Sequence, residues 1–174
     1  NRGFGGTAIF WCGNDGKLTD SNFTNHNSNY TIVLWSGDSE FTDLNMEIID
    51  GFEYTIGTNG LIDNCLFLNN NVSESHIVEW AGYNGTISNT LFHNNTAIDG
   101  ATVFWEGTDG KIIDSNFTSN FGAYAAFLGQ AFNTSITGCV FRDNVGTEAV
   151  VCQMPVYVYN SQTPTFIFSE KLYN

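Results

Sequence analysis

Apolar and polar residues alternate with a period of two in short runs along the chain, and Asn-Gly or Asp-Gly turn dipeptides punctuate those runs. Six runs superimpose: Gly16 to Phe23, Ser39 to Met46, Gly60 to Phe67, Gly85 to Phe92, Gly110 to Phe117 and Thr134 to Phe141. Their last residues lie 23, 21, 25, 25 and 24 positions apart. A second block, ending in Trp11, Trp35, Trp80 or Trp105, precedes four of them. A period of 21–25 residues matches one coil of a solenoid. Leucine-rich repeats share the period, but their L-x-x-L-x-L pattern is missing and no run has the 3.6-residue period of a helix. The pattern predicts an all-β chain: a right-handed, single-stranded parallel β-helix of about six to seven coils. Residues 1–149 form the repeats, and residues 150–174 form a last partial coil, a cap or a link to a further domain.

Stacked coils turn equivalent positions into ladders at strand spacing, about 4.8 Å. Leu18, Phe41, Ile62, Ile87, Ile112 and Ile136 make an apolar core column. Ser21, Leu44, Cys65, Thr90, Ser115 and Cys139 make a mostly small one, suited to a narrow corner. Phe23, Met46, Phe67, Phe92, Phe117 and Phe141 make an aromatic column with a large buried area. Three residues further on come His26, Asn70, Asn95, Asn120 and Asn144. Asn suits turns, and stacked Asn side chains bond from rung to rung.

Charge narrows the partners. Five Lys and Arg against 18 Asp and Glu leave a net charge of −13. That balance excludes nucleic acid, which is bound by basic surfaces, and disfavours anionic membranes. No run of about 18 apolar residues is present, so no membrane-spanning helix is expected. The chain starts inside a repeat and without Met, and so reads as a piece of a longer protein.

These motifs resemble the adhesin-like repeat proteins of methanogenic archaea, which share the polymorphic-outer-membrane-protein type of β-helix repeat. The matching stretches are Gly5 to Trp11, Asn84 to Asn95 and Asp114 to Asn120, and the resemblance covers roughly residues 5–149. It implies an extracellular, cell-surface chain used for attachment to host or partner cells, through protein or glycan, with no catalysis. Two alternatives stand beside it. One is a polysaccharide lyase or hydrolase of the pectin-lyase-like β-helix type. The other is a structural spacer or filament subunit joined end to end.

The candidate binding face is the Trp-bearing strand, which is apolar on both parities: Phe10, Leu34 and Phe104 on one, Trp11, Trp35, Trp80 and Trp105 on the other. Both cannot hide inside one coil. Shared parity with Ile9, Val33, Val78 and Val103 favours the Trp side inward.

No cofactor is expected. The one metal reading is calcium held between stacked carboxylates, Asp15 with Asp38 and Asp20 with Asp43; a solvated acidic turn face competes with it. N-glycosylation sequons begin at Asn22, Asn29, Asn71, Asn84, Asn94, Asn116 and Asn133. Asn22 and Asn116, each beside an inward Phe, are the preferred acceptors. Among the four cysteines, column spacing leaves only Cys139 with Cys152 within disulfide reach; buried free thiols are the alternative. Catalysis finds little support, because the basic residues Arg2, Lys17, Lys111, Arg142 and Lys171 are scattered.

Overall fold

The computed structural model describes residues 8–11, 13–35, 57–130, 133–153 and 167–173. All the described regular structure is β, in strands that pair in parallel and form two sheets. The first sheet runs β1 (Ile9–Trp11), β5 (Val33–Trp35), β9 (Val78–Trp80), β12 (Thr96–Trp105), β15 (Phe121–Gly129) and β17 (Val145–Gln153). Two short strands, β4 (Asn27–Ser28) and β8 (Asn71–Val72), extend the rungs that lead into β12.

The second sheet has two tracks. One is β2 (Lys17–Thr19), β6 (Leu61–Asp63), β10 (Thr86–Ser88) and β13 (Lys111–Ile113). The other is β3 (Asn22–Thr24), β7 (Leu66–Leu68), β11 (Leu91–His93) and β14 (Asn116–Thr118). Both tracks end on β16 (Ser135–Arg142), and β18 (Ile167–Tyr173) pairs beyond it. The result is a parallel β-solenoid of about five turns.

The coil count differs from the sequence expectation for a definite reason. Leu18 pairs directly with Ile62, and Phe23 with Phe67. No rung intervenes within either pair, and the Leu66 N–H donates directly to the Ser21 carbonyl. The run Ser39 to Met46 lies outside the described residues. Paired Trp residues are 24 or 25 positions apart, except Trp35 and Trp80, which pair across 45. One coil thus carries about twenty extra residues, close to the length of a whole repeat.

The core is built from the predicted ladders. Ile62, Ile87, Ile112 and Ile136 are fully buried. The rings of Phe23, Phe67, Phe92, Phe117 and Phe141 stack 4.7–4.9 Å apart with interplanar angles of 9–13°. Each buried Phe removes a large apolar area from water, and truncation of such a residue costs about 3–5 kcal/mol. In the small corner column, Thr90 and Ser115 donate their hydroxyls to the carbonyls of Ser88 and Ile113. They also accept N–H groups from Cys65 and Thr90. That pairing lets polar residues sit in a buried corner.

The Asn column is a buried hydrogen-bond ladder. The amide oxygen of Asn95 accepts the backbone N–H and the side-chain NH2 of Asn70, while its own NH2 donates to the Phe67 carbonyl and to Asn120. Asn120 repeats the pattern one coil on, with Phe92 and Asn144.

Turns explain the abundance of Asn. Fourteen described non-Gly residues have positive φ, and all are Asn or Asp except Ser119. They fall in three columns, headed by Asp15, Asp20 and Asn25. Left-handed backbone is costly for most side chains and cheapest for Asn, Asp and Gly.

The candidate attachment face

Alternation along the first sheet decides which parity is inside. Val33, Trp35, Val78, Trp80, Val103 and Trp105 are buried. Trp35, Trp80 and Trp105 stack within the core at 4.6 and 4.8 Å, with interplanar angles of 4° and 5°. They are therefore closed to any ligand, and as binding residues those three candidates are withdrawn. Trp11, on the first described coil, stacks on Trp35 and remains 39% exposed.

The opposite parity forms the outer row: Phe10, Leu34, Glu79, Phe104, Leu128 and Cys152, each paired with the next across a rung. Phe10 is 49% exposed, Leu34 and Phe104 are half-buried, and Leu128 is buried. Of the candidate residues, the structure thus brings Phe10, Leu34 and Phe104 together on one surface.

Sequence reasoning missed a polar group beside this row. Thr31 donates its hydroxyl to Glu79 Oε2 at 2.8 Å and lies 2.6 Å from the Ser75 hydroxyl, which donates to it in turn. Thr31 is buried, so this chain satisfies a hydroxyl that would otherwise be costly to bury. Next to it, the His76 ring stacks on Phe104 at 4.4 Å. His76 Nδ1 accepts the Ala101 N–H at 2.9 Å. Burial lowers its pKa to about 4, so at neutral pH the ring is uncharged with its proton on Nε2. The signal available in the sequence was Glu79, the one charged residue in an otherwise apolar row.

Asp15 and Asp20 are bonded to amides of the next described coil. Asp15 Oδ1 accepts from the Asn59 amide at 3.0 Å, and Asp20 Oδ1 from the Asn64 amide at 2.7 Å. Each thus has an amide as its next-coil neighbour; Asp38 and Asp43 lie outside the described residues. Among the described residues, no three His, Cys, Asp or Glu side chains converge as a metal site requires. Asp63 has its pKa lowered, first by the Ser88 hydroxyl and then by the Asn89 amide.

Cys65, Cys139 and Cys152 carry free thiols, so Cys139 and Cys152 are not joined; Cys12 lies outside the described residues. Burial pushes the Cys65 thiol pKa up, as for a small core residue. Asn22 and Asn116 project to solvent from β3 and β14. No helix of the described residues is long and apolar enough to cross a membrane. Compared with protein-family models, curated proteins and solved structures, the chain gives no significant match.

Proposed function

We propose that the chain is a non-catalytic attachment module of an extracellular, adhesin-like surface protein, which holds a rigid sheet face toward protein or glycan on another cell. The observation that carries this reading is the outer row of the first sheet. Phe10 and Leu34 line up on paired strands, Phe104 follows one strand beyond Glu79, and all three keep part of their apolar surface in solvent. A sheet surface of this kind is a common docking feature. The polysaccharide-cleaving alternative draws little support. Lys17 and Lys111 sit three rungs apart, and His76 is uncharged with Nδ1 engaged.

The unbroken Phe stack from Phe23 to Phe141 supports a second reading, a spacer that sets distance by its coil number. One experiment separates the two. The chain is tested against immobilised polysaccharides, protein-coated surfaces and whole cells, beside Leu34→Asp and Phe104→Asp variants. The attachment reading expects at least about tenfold weaker binding in the variants, or about 1.4 kcal/mol. Binding that both variants retain sinks it. Failure of the unaltered chain to bind any of these surfaces leaves the spacer.

A further inference from the structure

All seven sequon asparagines are exposed, so exposure does not rank them. The direction of each side-chain nitrogen does. Asn84 Nδ2 lies 2.7 Å from Asn59 Oδ1, Asn94 Nδ2 2.8 Å from Asn69 Oδ1, and Asn133 Nδ2 3.1 Å from Asp109 Oδ1. Asn71 Nδ2 lies 3.4 Å from Asn27 Oδ1. These four nitrogens point along the stack, three at the turn one coil away and that of Asn71 at the neighbouring strand β4. Each bond uses one of the two hydrogens of its nitrogen, and coils are only about 4.8 Å apart, so a sugar replacing the other hydrogen would be held against the neighbouring coil. Asn84, Asn94 and Asn133 also have left-handed backbone and stand in the turn columns.

Asn22, Asn29 and Asn116 differ. Asn22 and Asn116 share one outward column of the second sheet, with Leu66 and Leu91 between them. Their inward neighbours, Phe23 and Phe117, are anchored in the core stack, so each amide stands away from the sheet. Asn29 uses only its oxygen, which accepts from the Ser73 hydroxyl at 3.1 Å, and a glycan would leave that oxygen in place.

We propose that Asn22, Asn29 and Asn116 are the N-glycan acceptors of this fold, and that the four turn and ladder sequons stay bare in the folded chain. The donor class is a lipid-linked pyrophosphate oligosaccharide. The Asn Nδ2–C1 bond forms, the C1–O bond to pyrophosphate breaks, and the amide proton leaves with the departing lipid pyrophosphate. This inference rests on the extracellular reading, but its test does not depend on any attachment partner.

The experiment secretes the full chain from a eukaryotic host and maps glycopeptides of the folded, soluble fraction by mass spectrometry. The expected result is occupancy at Asn22, Asn29 and Asn116, and little or none at Asn71, Asn84, Asn94 and Asn133. Asn116→Gln should remove one glycan and leave the melting temperature unchanged. Enzymatic deglycosylation should likewise leave melting unchanged, because the sugars stand in solvent. Equal or greater occupancy at the four other sequons overturns the proposal, and so does folded, secreted chain with no glycan at all. Loss of attachment with the glycan pattern intact would count against the attachment reading alone.

Discussion

The indole of Trp35 lies against Gly60, where an added Cβ would come within 2.5 Å of the ring, although the two residues are 25 positions apart. In the other coils the same contact joins Trp11 to Gly16, Trp80 to Gly85 and Trp105 to Gly110, each five positions on. The contact is conserved in space while the connection changes, so about twenty residues have been spliced into one turn.

Deletion of Ser36 through Thr55 should therefore leave the solenoid folded. It joins Trp35 to Ile56, Gly57, Thr58, Asn59 and Gly60, matching Trp80, Ala81, Gly82, Tyr83, Asn84 and Gly85 position for position. Shortening the connection lowers loop-closure entropy, so stability should stay level or rise by about 1–2 kcal/mol. Urea unfolding followed by circular dichroism measures it. Loss of the cooperative transition would show that residues 36–55 are needed for folding.

Gly85→Ala should destabilise by about 1–3 kcal/mol, because the new methyl group overlaps the buried Trp80 indole, which is itself held between Trp35 and Trp105. Gly16→Ala meets Trp11, which is partly exposed and has room to shift, and should cost less. Equal urea midpoints for the two variants would contradict the packing described above.

Asn95→Asp should cost about 3 kcal/mol or more. The amide NH2 that donates to the Phe67 carbonyl and Asn120 Oδ1 becomes an oxygen facing two acceptors. A buried carboxyl in that setting has its pKa raised, and its protonated form restores one donor. The deficit relative to the unaltered chain should accordingly shrink as pH falls. Urea titrations at pH 4.5 and pH 8 test the sign, and a deficit independent of pH would refute the ladder account.

His76 gives the intact chain a pH dependence of its own. Its pKa is about 4 when folded and about 6.5 when unfolded, so protons bind the unfolded chain more readily. The stability it contributes is complete above pH 6.5 and is lost as pH falls toward 4, with a ceiling of about 3 kcal/mol. His26, lowered chiefly by burial, acts in the same direction. A His76→Gln variant, which keeps an acceptor for the Ala101 N–H, should show a shallower fall in stability between pH 6.5 and 4. An unchanged slope would remove His76 from the account.

Much of the fold was legible because in a solenoid, sequence spacing maps directly onto neighbourhood. The Ile, Phe and Asn columns follow from residues 24 or 25 apart, and each rung repeats the same test. The spliced segment escaped because Trp35, Ser36 and Gly37 imitate Trp80, Ala81 and Gly82, and Ser39 to Met46 then continues as a plausible repeat. Period two also left the inner face undecided where both parities are apolar. Thr31, Ser75 and Glu79 were invisible for a related reason. Their bonds cross the rung that carries the extra residues, joining residues 44 and 48 positions apart, and no regular spacing points to them.

Trp35, Trp80 and Trp105 have one further consequence, and it is optical. Three indoles stacked face to face, nearly parallel and within 5 Å of their neighbours, do not absorb independently; their strong ultraviolet transitions couple. The chain carries an intrinsic exciton reporter along its own axis. A coil that slips by one residue would separate the rings and collapse the coupled signal while the overall β content hardly changed. The register of the solenoid can thus be followed spectroscopically, without a label.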